Sequence, residues 1–451
     1  MSARNVLVIT VDSLRYDRTV GAGKEGDRVP ILSEITDESI SFEQAVANGP
    51  NTPSSFPSIL TSTYPLMYGG YRYLDERRPF VSDTLKRAGL ETIGYHSNPH
   101  LGADMNYDQG FKIFNDEGKS GDDSRSIKNL VDEYLDPDGL TYRLLRRAYH
   151  FLQMTTDISA YTRAPELTEQ ATDWFEHGWN GDNPFFMWLH YMDVHYPFQP
   201  PERFLRELGI EPLPKRRVAE LNGMMQENPE DLSEQDVEDL IELYDGEMRF
   251  TDHYIGKVVD ELRERGILDE TIVVITADHG EAFGEHGRFG HHPYLYDELL
   301  RVPLIVRVPG FEPRTVDQQV SLIDLGPTLY ELLDVEIPDE VQGTSFAPLL
   351  RGEEMEEKMA IATGKGGETL ACRTSEWKCF WLVEEERVEL YNLNEDPDEL
   401  TDVSADNPEV VAEFKERMRA YLDEADTTDI ALPEVETSDQ VEQRLRDLGY
   451  R

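Results

Sequence analysis

The chain has 451 residues, 39% of them hydrophobic, so it is long enough to bury a large core. Its 90 Asp and Glu residues outnumber 43 Lys and Arg residues, which gives a formal net charge of −47 spread along the whole length. This excess argues against nucleic acid and anionic membranes as partners, because both would be repelled.

The same negative charge indicates the salt concentration at which the protein is stable. Self-repulsion would destabilise a compact chain in dilute buffer, but at ~1 M salt the Debye length falls to ~3 Å and most of that penalty disappears. We therefore expect a halophilic protein of a salt-rich cytoplasm, with an ordinary acidic protein as the alternative. The first strand follows the N-terminus directly and no run reaches about 18 apolar residues, so neither a signal peptide nor a membrane span is expected. Cys372 and Cys379 fit no zinc or disulfide pattern and are expected to be buried thiols.

Three short apolar runs end abruptly in acidic or histidine residues. They are residues 6–11 before Asp12, residues 185–189 before His190, and residues 272–277 before Asp278. Such runs are typical of buried strands in a parallel sheet with helices on both faces. Ligands of these sheets bind beyond the carboxyl ends of the strands. The polar residues that follow the three strands are therefore expected to converge on one site.

Helical segments alternate with these strands and favour an α/β fold. The pattern predicts helices at residues 79–88, 164–177 and 234–265, each followed by a glycine of the kind that ends helices. Two polar segments, residues 116–159 and 200–234, are weakly periodic and are candidate lids over the site.

The pattern changes after residue 350. Alternating segments at residues 369–373 and 378–383 predict antiparallel strands, a helix is predicted at residues 408–424, and an acidic tail begins at residue 425. We expect a large catalytic domain at residues 1–350 and a small α+β subdomain at residues 351–451.

Asp12, Asp278 and His279 are candidate ligands for one divalent ion. Two carboxylates and an imidazole suit Ca²⁺ or Mn²⁺, and also Zn²⁺ or Mg²⁺, depending on geometry. Taken alone, an Asp after a strand is more often a helix cap. The combination of the three residues favours a metal site.

Residues 51–65 begin with hydroxyl groups and prolines and then become helical. At a helix start, backbone N–H groups and the helix dipole stabilise negative charge, so an alkoxide or a tetrahedral oxyanion would be favoured there. An ordinary helix cap is the alternative reading of this segment.

Eight short blocks along the chain form a further pattern. They are NVLVITVDSLR at residues 5–15, NPHLG at 98–102, MDVHYP at 192–197, TADHGE at 276–281, RVPLI at 301–305, DLGPT at 324–328, QGTS at 342–345 and LYNL at 390–393. Together they resemble the sulfatases of the alkaline phosphatase superfamily. The blocks keep the family's order over nearly the whole chain. The resemblance implies a mixed, mostly parallel sheet flanked by helices, and hydrolysis of an ester.

The resemblance also implies roles for particular residues. Asp12, Asp278 and His279 match metal ligands, and Thr52 matches the nucleophile, which also contacts the metal. His100 and His195 match histidines that touch the nucleophile or the transferred group, and His292 falls where sulfatases usually carry a substrate-binding lysine. Asn98 and His291 are further candidate substrate-binding residues, His286 could contact substrate or a second metal, and His190 is expected to pack beneath the sheet end.

The chain also departs from the sulfatase pattern. Threonine cannot be converted to the formylglycine that sulfatases make from Cys or Ser at the nucleophile position. Phe56 replaces an arginine, Asn98 a lysine, and Ser13 a second metal-binding aspartate. Ser55 is a weaker alternative nucleophile, because its local spacing imitates the sulfatase motif but does not align with the helix that follows.

Three functions remain open at this point. The block pattern favours hydrolysis of sulfate esters, whereas a threonine nucleophile is similar to phosphodiesterases and phosphoglycerol transferases of the same superfamily. The lost arginine and lysine leave an inactive glycan-binding relative as a third alternative. In each case the expected partner is a sulfated or phosphorylated small molecule or glycan.

Overall fold

The computed structural model describes residues 3–19, 28–115, 161–291 and 294–427. The candidate lid at residues 116–159, the tail beyond residue 427 and His292 lie outside the described residues.

A mixed, mostly parallel sheet forms the centre of the fold, as predicted. Among the described residues it has nine strands, in the order β10 (Arg314–Val316), β2 (Ile40–Val46), β9 (Arg301–Arg307), β6 (Thr271–Ala277), β1 (Asn5–Val11), β5 (Phe185–Tyr191), β3 (Glu91–Tyr95) and β4 (Ile113–Asn115), with β11 (Val320–Ser321) beside β2. Among the described strands of this sheet, only β9 runs antiparallel to its neighbours, β2 and β6. Every residue of β1, β5 and β6 is buried, which explains their continuous apolar sequences.

Helices flank this sheet. They are α1 (Pro30–Asp37), α2 (Thr52–Thr61), α3 (Val81–Arg87), α4 (Ala164–Asp173), α5 (Glu202–Glu207), α6 (Lys215–Glu227), α7 (Glu234–Glu264), α8 (Asp297–Leu300), α9 (Leu325–Leu332) and α10 (Ala347–Arg351). The helix predicted at residues 164–177 is observed as α4 up to Asp173, followed by a π-helical turn, Trp174–Gly178. Helix α7 starts at a capping box in which Ser233 and Asp236 satisfy each other's backbone N–H groups.

The segment after residue 350 forms a separate antiparallel sheet, as the alternating pattern predicts. Its strands are β12 (Ala360–Thr363), β13 (Thr369–Arg373), β14 (Trp377–Leu382) and β15 (Arg387–Asn392), and helix α11 (Pro408–Thr427) packs on β13 and β14. A short hairpin of β7 (Ala282–Phe283) and β8 (Phe289–Gly290) packs against α6 and α7. The division of the chain at residue 350 stays a prediction.

Two expectations about the whole chain can be compared with the fold. Cys372 and Cys379 are buried free thiols that lie opposite each other in β13 and β14. Among the described helices, none combines the length and the apolar character needed to cross a membrane.

Candidate functional site

The site is built at the carboxyl ends of three adjacent parallel strands. Strand β1 lies between β5 and β6, and Val11 pairs with Tyr191 on one side and with Ala277 on the other. Asp12 follows β1 and Asp278 follows β6, so the register alone brings the two carboxylates to the same edge of the sheet. Their side chains are wholly buried.

Helix α2 brings Thr52 to this edge. Asn51 caps the helix by accepting a hydrogen bond from the backbone N–H of Ser54, and Thr52 is the first helical residue. The Thr52 hydroxyl donates to Asp12 Oδ2 at 3.2 Å and lies 3.5 Å from His279 Nε2. The predicted nucleophile therefore lies at a helix N-terminus, which favours negative charge on its oxygen, and beside the Asp12 carboxylate, which disfavours it unless a cation is bound.

His279 faces both carboxylates through one ring nitrogen. Its Nε2 lies 3.6 Å from Asp12 Oδ1 and 3.5 Å from Asp278 Oδ2. Its Nδ1 lies 2.8 Å from the carbonyl oxygen of Gly280, which favours a proton on Nδ1 and a lone pair on Nε2. Asp12, Thr52, Asp278 and His279 thus form one group, which we call the site cluster.

Burial and neighbouring charges shift the pKa values of the site cluster away from their ordinary values. Burial and the neighbouring carboxylate of Asp12 raise the pKa of Asp278 well above its usual value. Burial would also raise the pKa of Asp12, but His195, His190 and His279 together hold it well below the usual value. Burial lowers the pKa of His279 to about 3 despite the attraction of Asp12. The two carboxylates are therefore unequal, and they repel each other when both are ionised.

These residues fit a divalent cation. Among the described residues, no Lys or Arg forms an ion pair with Asp12 or Asp278, so no side-chain ammonium or guanidinium neutralises them. Three potential ligand atoms, one each from Asp12, His190 and Asp278, all lie within 4.8 Å of one another. Buried carboxylates without a positive partner are costly, and oxygen and imidazole donors in this arrangement suit Ca²⁺, Mn²⁺ or Zn²⁺.

The residues at three positions where the sequence departs from sulfatases all contact the site cluster or its neighbours. Ser13 donates its hydroxyl to Asp12 Oδ1 at 3.0 Å and so supports a candidate ligand. Asn98 donates through Nδ2 to Asp12 Oδ2 at 3.0 Å and to Thr52 Oγ1 at 3.3 Å. The Phe56 ring packs edge-on against His190, with 4.9 Å between ring centroids. Asn98 thus touches the nucleophile candidate directly, which its predicted substrate-binding role allows.

The remaining predicted histidines occupy different places. The ring of His291 lies 4.8 Å from that of His195 and 4.9 Å from that of His279, measured between centroids. His100 lies in the turn after Asn98, where its backbone N–H donates to Asn98 Oδ1 at 2.9 Å. His286 stacks on Tyr296 at 3.6 Å, on the side of the C-terminal sheet. The roles assigned to these residues stay predictions.

His190 does more than pack beneath the sheet, so that interpretation was incomplete. Its ring stacks near Trp188, with centroids 6.2 Å apart, but its Nε2 lies 3.3 Å from Asp12 Oδ2. Its Nδ1 contacts the hydroxyl of Thr10 at 3.0 Å. The feature that places His190 near the site is the pairing of β5 with β1. In this pairing His190 lies opposite Thr10, two residues before Asp12.

Ser55 is engaged elsewhere. Its hydroxyl donates to the carbonyl oxygen of Asp278 at 2.6 Å, which ties helix α2 to the end of β6. This bond gives Ser55 a structural task and weakens it as an alternative nucleophile.

A buried ion cluster that the sequence did not suggest supports the segment carrying His195. Arg163 contacts Asp193 at 2.6 Å and Glu247 at 2.7 Å, and Glu247 also accepts from the backbone N–H of Gln199 at 2.7 Å. Burial raises the pKa of Glu247 to about 8, although Arg163 opposes the shift. The cluster connects α4 and α7 to the loop at 193–199.

Comparisons with known proteins agree with this architecture. The profile of the family described as Sulfatase matches residues 4–335, and the profile described as N-sulphoglucosamine sulphohydrolase, C-terminal, matches residues 284–426. The chain is 24% identical to arylsulfatase K of Xenopus laevis over 443 residues, covering 88% of this chain and 78% of the relative. It is 24% identical to an arylsulfatase of Clostridium perfringens over 456 residues, covering 92% of each.

Solved structures share the fold at low sequence identity. The structure of BT4656 in complex with its substrate D-glucosamine-2-N,6-O-disulfate matches with a TM-score of 0.72 and 19% identity, covering 95% of this chain and 99% of that one. A phosphonate monoester hydrolase of Agrobacterium radiobacter matches with a TM-score of 0.69 and 20% identity, covering 94% of this chain and 96% of that one. The alkaline-phosphatase-like fold expected from the sequence is therefore confirmed.

Proposed function

Because the chain belongs to the sulfatase family, we propose that it is a metal-dependent sulfuric ester hydrolase that uses Thr52 as its nucleophile. The observation that carries the proposal is the position of the Thr52 hydroxyl, 3.2 Å from Asp12 and 3.5 Å from His279 at the start of a helix. Arylsulfatases among the relatives support a sulfate ester as the substrate. The structure of BT4656 with its disulfated glucosamine substrate supports a sulfated sugar or other sulfated small molecule as the substrate of this chain.

In this proposal each residue of the site has a defined task. A divalent ion held by Asp12, Asp278 and His279 would lower the pKa of the Thr52 hydroxyl and withdraw charge from an ester oxygen. Thr52 attacks as the alkoxide: Oγ1 forms a bond to the sulfur while the bond to the alcohol oxygen breaks and that oxygen takes up a proton. Water later hydrolyses the Thr52 ester, which releases sulfate and restores the hydroxyl. His195 and His292 bind the developing charge or protonate the leaving oxygen, and His100 orients the nucleophile. Asn98 and His291 contact the substrate.

Phosphate ester hydrolysis is the second candidate, and the same hydroxyl favours it. Threonine cannot form the aldehyde that sulfatases use, so Thr52 acts as a simple alcohol nucleophile, which is sufficient for phosphoryl transfer beside a metal ion. A phosphodiesterase or a phosphoglycerol-transferase-like enzyme would use the same arrangement of Asp12, Thr52, Asp278 and His279. An inactive relative that only binds glycans would have no need of the buried nucleophile.

A substrate panel separates these functions. Aryl sulfate, phosphate monoester and phosphate diester substrates are assayed in molar KCl with Ca²⁺, Mn²⁺ or Zn²⁺ in turn, after removal of bound metal with a chelator. We expect turnover of the sulfate ester only in the presence of metal, and faster turnover of a phosphate diester would make the second candidate the better one. Stoichiometric metal with no turnover of any substrate would contradict both enzymatic proposals.

Variants in α2 test the nucleophile. Thr52→Ala should reduce turnover at least ~10³-fold, because it removes the attacking oxygen, whereas Thr52→Ser should keep measurable turnover. Ser55→Ala is the matched control in the same helical turn and should stay within about tenfold of the wild type. Wild-type rates in Thr52→Ala, or loss of turnover in Ser55→Ala alone, would refute the assignment.

We also propose that the enzyme works in a salt-rich cytoplasm. The net charge of −47 supports this, since such a charge is tolerated better when salt screens it. Thermal unfolding in 0.1 M and 2 M KCl tests the proposal, and a melting temperature that does not rise with salt would contradict it.

A further inference from the structure

Glu281 is a buried carboxylate beside the site to which the proposed mechanism gives no task. It follows Gly280 directly after the site cluster, and its side chain is fully buried. Its Oε2 lies 3.4 Å from Nδ1 of His291, and its Oε1 has no hydrogen-bond partner among the described residues. A buried carboxylate is costly to retain, so its position calls for a reason.

The hairpin of β7 and β8 brings Glu281 and His291 together. Ala282 pairs with Gly290 and Phe283 with Phe289 in antiparallel register. Glu281 and His291 are the next residues outward on each strand, so they occupy facing positions at the open end of the hairpin. Side chains in facing positions of antiparallel strands are close enough to interact directly.

The backbone around Glu281 is held firmly on both sides. Arg15 donates through Nη1 to the carbonyl oxygen of Glu281 at 2.9 Å, and Gly280 donates its N–H to the carbonyl oxygen of Leu299 at 2.8 Å. A Cβ atom at Gly280 would lie 2.0 Å from the carbonyl oxygen of Glu298, so only glycine allows this close approach. The carboxylate of Glu281 is thus placed by a backbone that has little freedom to shift.

His291 is the partner through which Glu281 reaches the site. Its ring contacts those of both His195 and His279, at centroid distances of 4.8 and 4.9 Å. Its side chain is 13% exposed, whereas those of His195 and His279 are fully buried, so His291 lies toward the open side of the group. A carboxylate that accepts from Nδ1 fixes both the orientation of an imidazole and the nitrogen that carries its lone pair.

We propose that Glu281 is a positioning residue that accepts the Nδ1–H of His291 and holds the ring with Nε2 as the nitrogen presented to substrate. The effect of Glu281 on turnover rests on the proposed function, whereas its hold on His291 does not. A carboxylate in this position sets the geometry and tautomer of the histidine without touching the reacting atoms, as second-sphere carboxylates do for other functional histidines.

The direct test reads the state of His291 by NMR. The full-length, metal-loaded protein is labelled with ¹⁵N-histidine, and the His291 signals are identified by their loss in His291→Gln. Burial lowers the pKa of His291 but Glu281 and Asp12 raise it overall, so the spectra are recorded at a pH high enough for a neutral ring. There we expect a proton on Nδ1 in the wild type and a measurable population protonated on Nε2 in Glu281→Gln, because the Gln amide can donate to Nδ1. Glu281→Met removes the acceptor altogether and should shift the population further. An unchanged His291 tautomer in Glu281→Met would overturn the proposal, because Met offers Nδ1–H no oxygen acceptor, whereas the Gln oxygen still can accept.

The kinetic test uses a double-mutant cycle on the best substrate of the panel. Glu281→Met should lower kcat/KM by about 10 to 100-fold in the wild-type background and by less than about threefold in the His291→Gln background. Glu285→Gln is the matched control, since Glu285 lies in the same loop but pairs with Arg15 at 2.7 Å. It should leave the His291 signals in place. Multiplicative losses in the cycle, or loss of bound metal in Glu281→Gln, would overturn the positioning role. If no substrate is turned over, the proposed function fails, and the NMR result alone then decides whether Glu281 holds His291.

Discussion

Two buried groups of charged residues in this protein are arranged in opposite ways. The site cluster contains two fully buried carboxylates, Asp12 and Asp278, which have no Lys or Arg partner among the described residues. A second group joins helix α8 to the C-terminal sheet and consists of Asp297, Arg373, Lys378 and Glu399, which we call the interface cluster. It contains two acids and two bases.

Each charge in the interface cluster meets an opposite one. Asp297 contacts Arg373 at 2.8 Å and Lys378 at 2.7 Å, and Lys378 also contacts Glu399 at 2.9 Å. Glu399 accepts from the backbone N–H of Asp297 at 2.7 Å, which closes the network. Lys378 is fully buried, and Arg373 and Glu399 are nearly so.

The two clusters differ in how their buried charge is balanced. Both carry the cost of taking charges out of water, but among the described residues only the interface cluster offsets it with Lys and Arg side chains. Asp12 and Asp278 have histidine neighbours instead, which fits our proposal that the site cluster binds a cation. Charge of this kind is common where function and stability compete.

The largest expected effect comes from Asp278→Asn. Asn keeps the oxygen that accepts from the backbone N–H groups of His279 and Ser13, but it removes a charge that faces Asp12. Activity should fall at least ~10⁴-fold, equivalent to about 5 kcal/mol of transition-state stabilisation. In metal-free buffer, the melting temperature should stay the same or rise, because the repulsion between the two carboxylates is gone.

Added metal provides the control for this variant. The wild type should melt at a higher temperature when Mn²⁺ or Ca²⁺ is added, since a ligand that binds only the folded state stabilises it, and Asp278→Asn should lose most of that rise. A strong destabilisation of metal-free Asp278→Asn would contradict the comparison, because it would show that the charge supports the fold.

The interface cluster should respond in the opposite way. Lys378→Met removes a base that contacts both Asp297 and Glu399 and leaves buried carboxylates short of a partner, so the free energy of unfolding should fall by about 3 kcal/mol. Denaturant unfolding measures it. Lys365→Met is the matched control, because Lys365 and Glu368 form an exposed pair at 3.9 Å, and it should cost less than about 0.5 kcal/mol. Equal losses in the two variants would remove the distinction between the interface cluster and the surface.

The sequence predicted the site cluster better than the interface cluster, for a physical reason. Asp12 and Asp278 follow continuous apolar strands, and neighbouring parallel strands end at the same edge, so their convergence could be inferred. Lys378 lies in strand β14 and its partner Asp297 is 81 residues away in the sequence. Nothing local marks a lysine as buried when its partners are so distant.

Two further features show where sequence patterns lose their information. Strand β5 is buried on both faces, so its pattern could not tell whether His190 serves the core or the site, and only the pairing with β1 decides it. The contact of Glu281 with His291 depends on the register of a hairpin that has only two paired residues on each strand. Short elements of this kind leave too few alternating positions to be predicted.

The pH dependence of stability gives the smallest and sharpest test of the interface cluster. Burial raises the pKa of Glu399 from its ordinary 4.5 to about 8, although Lys378 opposes the shift. A carboxyl whose pKa is raised by folding contributes stability that is fully present below its unfolded pKa and is lost as the pH rises through the folded value. The contribution of Glu399 should therefore decline from about pH 4.5 to about pH 8.

Glu399→Gln isolates this contribution, because Gln stays neutral and keeps an oxygen to accept from the backbone N–H of Asp297. The free energy of unfolding of the variant, minus that of the wild type, should increase by roughly 2 to 3 kcal/mol between pH 5 and pH 8, because the wild type loses a proton from a buried carboxyl over this range and Gln does not. Measuring the difference at each pH cancels the titration of the other acids. A difference that stays level, or that decreases with pH, would mean that Glu399 is ionised throughout. The interface cluster would then be matched in charge at every pH, and its contrast with the site cluster would be even greater than the comparison assumes.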